Sequence, residues 1–111
     1  MKISKELLKG STAIMILEII SEADSYGYEI IQKIMQRSKG ALALQAGTLY
    51  PILHSMLKEK LIAEYEKESP MKRPRKYYRI TVAGRLRLAA MIEEWKVFTE
   101  IVGSVLKGEN A

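Results

Sequence analysis

A mainly α fold with one small β-hairpin (α+β) is predicted by three features of the chain. Apolar residues recur at helical spacing through its first half, two alternating segments flank a proline-containing basic stretch, and a heptad-spaced apolar run closes the sequence. At 111 residues there is material for one compact core and little for a second.

From Ser4 to Ser21 the residues Leu7, Leu8, Ile14, Met15, Ile16, Leu17, Ile19 and Ile20 cover nearly the whole circumference of a helix. That predicts burial on two sides, one against the protein's own core and one against a partner. Ser25 is placed to cap a second helix from Tyr26 to about Arg37, which ends at Gly40 and turns Ile30, Ile31, Ile34 and Met35 inward. A short alternating segment, Ala41 to Leu44, leads to GTLYPILHSML. Here Leu49, Ile52, Leu53, Met56 and Leu57 form one apolar arc of a third helix, and Gly47, Tyr50, His54 and Lys58 fall opposite. Pro51 costs little in the first turn; deeper in, Gly47 at i−4 limits the crowding and leaves some kink.

Lys60–Glu68 and Lys76–Ile80 read as two strands, with Tyr78 and Ile80 on one face and Tyr77 and Arg79 on the other. The linking SPMKRPR holds two prolines and three basic residues, which suits an exposed, stiff loop outside the ladder. Thr81 can cap a last helix from Val82 to about Lys107, and Gly84 permits a close helix approach. The unit divides into residues 1–81 and a C-terminal helix, 82–111, within one compact body.

The chain carries a net charge of +5, and its distribution is uneven. Between Glu68 and Glu93 no acidic residue occurs, while Lys72, Arg73, Arg75, Lys76, Arg79, Arg85 and Arg87 supply seven positive charges. Such segregation suits a phosphate-binding surface, although a merely solvated charge run has the same composition. Catalysis is not expected: there is no cysteine, a single histidine, and neither a paired-carboxylate motif nor a phosphate-binding glycine loop. His54 stands alone, so no metal site is expected, and no cofactor. The Lys2–Ile20 region is interrupted by Glu18, and no apolar run approaches the roughly 20 residues needed to span a bilayer; a cytoplasmic protein is expected.

Helix, helix, amphipathic helix and hairpin, in that order, is the pattern of a winged helix-turn-helix with a long C-terminal helix appended. In such units the third helix enters the DNA major groove and the hairpin, or wing, reaches phosphate or the minor groove. Gly47 then allows close approach, Thr48 and Tyr50 supply donors near the helix start, His54 and Lys58 continue that face, and Lys72, Arg73, Arg75 and Lys76 form the basic wing. Tyr50 could instead only support the wing. The motifs YGYEI at Tyr26–Ile30, GTLYPIL at Gly47–Leu53, and RKYYRIT with Gly84 close behind resemble the PadR family of bacterial transcriptional regulators. The short length and single C-terminal helix resemble its small, multidrug-responsive LmrR-type branch. The resemblance implies a homodimeric, usually repressing, protein that binds double-stranded DNA at a palindromic operator. One departure is Gln45-Ala46, where many relatives have a better cap and a proline, and it blurs the start of the third helix.

In the last helix Leu88, Met91, Trp95, Phe98, Val102 and Val105 are spaced 3, 4, 3, 4 and 3 apart, a seam that must be covered. A homodimer built from this seam and the first helix, including Leu7 and Leu8, is the economical cover; the alternative is a helix folded back on its own domain. Trp95 lies midway and could face its symmetry mate, so that Trp95, Phe98 and Met91 hold a planar aromatic ligand, favoured if cationic by Glu93, Glu94 and Glu100. Trp95 could equally be dimer core; in the LmrR-like branch a tryptophan on this helix lines a drug pore, which the resemblance extends to Trp95. The expected function is an effector-relieved repressor, with an effector-independent nucleic-acid-binding structural protein or a small-molecule carrier as alternatives.

Overall fold

The computed structural model describes residues 3–108. The elements are α1 (Lys5–Lys9), α2 (Thr12–Glu22), β1 (Ser25–Tyr26), α3 (Gly27–Arg37), α4 (Ala46–Lys58), β2 (Ile62–Glu68), β3 (Pro74–Ile80) and α5 (Val82–Lys107). The strands form an antiparallel sheet in the order β1-β3-β2, with Tyr26 opposite Tyr77 and Ile62 opposite Ile80. The mainly α architecture with a small wing is therefore as the spacing predicts.

α2 is the centre of the core. Ile16, Leu17, Ile19 and Ile20 are buried with Ile30 and Ile34 of α3, Leu49, Leu53 and Met56 of α4, and Tyr78 and Ile80 of β3. The alternation expected of the second strand holds: Tyr78 and Ile80 face the core, while Arg79 is exposed. Most of the apolar circumference of α2 is covered within the chain, because α3, β3 and α5 all pack against it. Ile14 and Met15 remain half-buried.

Several expectations need correction. The first helix is broken at Gly10–Ser11, because the Leu8 carbonyl accepts the Ser11 N–H at 3.0 Å, the Ser11 hydroxyl at 3.1 Å and the Thr12 hydroxyl at 2.9 Å. Hydroxyls bonding backwards beside a glycine compete with helix continuation. Ser25 does not cap α3; it is buried in β1, where its hydroxyl donates to the Ala23 carbonyl at 2.8 Å, and the N-cap position falls to Tyr26. The wing loop is shorter than predicted, since Pro74 and Arg75 join the ladder opposite Glu68 and Lys67. Proline is tolerated because β1 spans only Ser25–Tyr26 and pairs at Tyr77 and Tyr78, so that end of β3 has a free outer edge.

β2, expected from Lys60, starts at Ile62 because α4 ends in a Schellman turn. Lys60 takes a left-handed φ of 60°, and the Leu61 N–H donates to the Met56 carbonyl at 2.9 Å. α4 begins at Ala46 after an N-cap Gln45 that makes no side-chain cap, so Pro51 lies one turn inside the helix, with Gly47 at i−4. Leu88, placed by spacing at the dimer seam, is 7% exposed and belongs to the protomer's own core. Beyond Ile92, α5 has no buried residue.

Candidate nucleic-acid interface

The apolar arc of α4 turns inward as predicted, which leaves Gly47, Thr48, Tyr50, His54 and Lys58 exposed. Tyr50 and His54 border a groove of about 550 Å³ between α4, the start of α3 and the wing, where Tyr28, Glu64, Arg75 and Lys76 also line it. Tyr50 lies along this wall, 45% exposed, because α3 begins with glycine: a Cβ on Gly27 would stand 2.9 Å from Tyr50 Cζ. By contrast a Cβ on Gly47 would meet nothing within 4 Å. Gly47 thus keeps the outer surface of α4 low, and Gly27 seats the tyrosine. Burial pushes the phenolic pKa of Tyr78, at the floor of the groove, upward, with Tyr50 and Glu64 adding to the shift.

The wing tip is a defined turn. The Lys72 N–H donates to the Ser69 carbonyl at 2.8 Å, the Ser69 N–H to the Arg73 carbonyl at 2.9 Å, and the Arg73 N–H to Ser69 Oγ at 3.3 Å. Lys72, at a left-handed φ of 58°, and Arg73 are exposed at this tip and join no ion pair among the described residues.

The other two predicted wing cations are tethered. The Arg75 guanidinium lies 4.0 Å from the Tyr26 ring centroid, and Lys76 Nζ stands 3.5 Å from Glu64 Oε2. Tyr26 meets Tyr77 edge-on at 5.5 Å, Tyr77 stacks on Tyr65 at 5.7 Å, and the Tyr65 hydroxyl donates to Asp24 at 2.7 Å, a bond that raises its pKa. This ladder fixes the wing to the start of α3. Arg87, also in the acid-free segment, pairs with Glu59 at 3.4 Å and does not border the α4–wing groove.

Gly27, Tyr28 and Glu64 escape sequence reasoning as site residues. Glu64 is the informative one, because its carboxylate occupies Lys76 and would oppose a phosphate brought into this groove. Glu64→Gln is expected to raise affinity for random duplex DNA about 3-fold to 10-fold, in line with freeing one cation at a partly exposed site. Fluorescence anisotropy at two salt concentrations checks this, and an unchanged or lower affinity would remove the groove from the interface.

The exposed length of α5 carries Trp95, Phe98, Val102 and Val105, with Ile101 and Leu106 exposed as well. Met91 is half-buried at its base, Leu8 is half-buried and Leu7 is 73% exposed. Leu7, Ile14, Met91, Trp95 and Phe98 border a groove of about 540 Å³, with Glu6 and Glu94 at its rim. Among the described residues no helix is long and apolar enough to cross a membrane.

The fold is shared with solved regulators. A structure of a transcriptional regulator from Clostridium thermocellum superposes with a TM-score of 0.83 at 29% identity, covering 90% of this chain and 97% of that one. A PadR-like transcriptional regulator from Bacillus cereus gives a TM-score of 0.79 at 36% identity, covering 95% of this chain and all of the other. A Lysinibacillus sphaericus protein is 32% identical over 106 residues, 96% of this chain and 97% of its own length. The model of the transcriptional regulator PadR-like family matches residues 16–90, from the first core residue of α2 to the start of the exposed part of α5. The chain therefore belongs to the PadR-like family, whose members are transcriptional regulators and not enzymes.

Proposed function

We propose that this regulator is a homodimeric, sequence-specific repressor whose grip on a palindromic operator is relieved by a planar aromatic or cationic compound at the dimer interface. In this reading residues 1–81 bind DNA and residues 82–111 form the dimer. The observation that carries the DNA half is the convergence of exposed Tyr50 and His54 of α4 with Arg75 and Lys76 of the wing on one groove, with the untethered cations Lys72 and Arg73 at the wing tip. α4 enters the major groove with Gly47, Thr48 and Tyr50 foremost, and the wing holds phosphate. Two copies of α4 in a symmetric dimer meet half-sites about 34–36 Å apart. Support for the effector half comes from the apolar groove at Trp95 with acidic Glu6 and Glu94 at its edge, a setting that favours cations over anions.

Lys72→Ala with Arg73→Ala tests the wing. Neither cation joins an ion pair among the described residues, so the double variant should weaken operator and random DNA alike and reduce the slope of log K against log salt by about 2. Loss of operator preference with random binding intact would mean that the tip reads sequence and would overturn this assignment. Arg75→Ala should act differently: its partner is Tyr26, and the change should lower affinity while leaving the salt slope closer to that of the parent.

A further inference from the structure

Helix α1 faces two places at once. Leu7 borders the Trp95 groove, whereas Lys5 and Lys9, one helical turn apart, border a separate groove of about 540 Å³ with Gln45, Gly47 and Thr48 of the α4 start. This second groove lies on the flank of α4 opposite the wing, since the wing groove is bordered by Tyr50, Leu53, His54 and Leu57. No carboxylate lines it, in contrast to the wing groove with Glu64. Lys5 and Lys9 are exposed, and neither joins an ion pair among the described residues.

We propose that Lys5 and Lys9 form a further DNA-backbone contact, gripping phosphate on the side of α4 away from the wing. The proposal rests on the reading of α4 and the wing as the DNA-binding face. A duplex seated on Gly47 and Thr48 passes over the groove that these residues share with the two lysines, so its phosphates meet two uncompensated ammonium groups there. The lysines are held in place rather than left on a frayed end. Ser4 Oγ accepts the Leu7 N–H at 3.3 Å at the start of α1, and the three bonds to the Leu8 carbonyl pin the corner at its end. Half-buried Leu8 anchors the helix between those points. Lysine suits the task, as a point charge that fixes register on the backbone without reading bases. α4 is then braced from both flanks, by the wing tip and by α1.

The test is Lys5→Gln with Lys9→Gln in the full chain, titrated with operator and with random duplex at 50 and 200 mM salt. Two lost phosphate contacts at a slope of about 0.9 each should shrink the ratio of affinities between the two salts by about tenfold, equally for both DNAs. Lys5→Arg with Lys9→Arg should keep the parental ratio, and Lys9→Gln alone should give about half the logarithmic change, which covers the event that the double variant folds poorly. If the glutamine variants keep the parental ratio while the Lys72 and Arg73 variant shrinks it, α1 makes no backbone contact and the proposal fails alone. If the unaltered protein does not bind duplex DNA, or the wing variant also leaves the ratio unchanged, the DNA-face reading fails and takes this proposal with it.

Discussion

Gly84→Ala is expected to destabilise the protein by about 2–4 kcal/mol, although alanine is the better helix former by about 1 kcal/mol. Gly84 is buried in the first turn of α5, directly against the turn that ends α4. A Cβ there would collide with the Leu61 carbonyl oxygen and stand 2.7 Å from Ile80 Cγ1. The carbonyl cannot simply retreat. It accepts the Thr81 N–H at 3.0 Å and the Thr81 hydroxyl at 2.9 Å, and Thr81 Oγ1 in turn caps α5 by accepting the Gly84 N–H at 3.0 Å. Displacing it loosens hydrogen bonds worth about 1 kcal/mol each in addition to the overpacking, which is why the substitution outweighs the gain in propensity. Urea unfolding of both proteins at the same concentration should show a lower midpoint with an unchanged slope, since any self-association makes the midpoint depend on concentration. A midpoint equal to or above that of the parent would show that the two elements have room to move apart.

The same locus explains what could be read in advance. Thr81 as a cap and Gly84 as a point of close approach follow from local chemistry: a hydroxyl ahead of an apolar helix, and a residue without a side chain in its first turn. The inward arc of α4 and the facing of Tyr78 and Ile80 are likewise periodicities that any one-sided burial imposes. What sequence could not supply depends on partners distant in the chain. β1 exists only because Ser25 and Tyr26 lie beside Tyr77 and Tyr78, and two residues carry no periodicity of their own. Leu88 continues the heptad pattern of α5, but it is buried in the protomer's own core, so the uncovered part of the pattern begins at Met91, one step later than spacing suggests. The wing cations look equivalent in KRPRK, yet Tyr26 and Glu64 hold two of them and leave two free. Gly27 shows the reverse difficulty, since its role is visible only once Tyr50 is seen to lie in the space its missing side chain leaves.

Trp95→Ala is expected to reduce the binding of planar cationic dyes far more than it reduces operator binding, and the dye and the operator should oppose each other. Trp95 is 46% exposed in the protomer and borders an apolar groove edged by Glu6 and Glu94, so a flat cation can gain both ring contact and favourable potential there. The path from this groove to α4 and the wing is short and stiff. α5 runs without interruption from Lys107 back to Val82, where Thr81 and Gly84 clamp it to Leu61; the Leu61 N–H is bonded to Met56, on the last turn of α4, and Ile62 opens the wing. In the proposed dimer a change in the angle between the two α5 helices would therefore move both copies of α4 and both wings, which would have to match one fixed groove spacing. A ligand drives that change only by the difference in its affinity for the two dimer arrangements, and the coupling is reciprocal. Its expected size is about 1–3 kcal/mol, or roughly 5-fold to 150-fold. Dye titration should quench the single tryptophan, and saturating operator should weaken the dye by the same factor by which saturating dye weakens the operator. Some loss of dimer stability in Trp95→Ala is expected from lost packing, so dye and operator affinities are compared above the dimerisation threshold measured by sedimentation. Equal dye affinity with and without operator would end the effector reading and leave Trp95 as part of the dimer core.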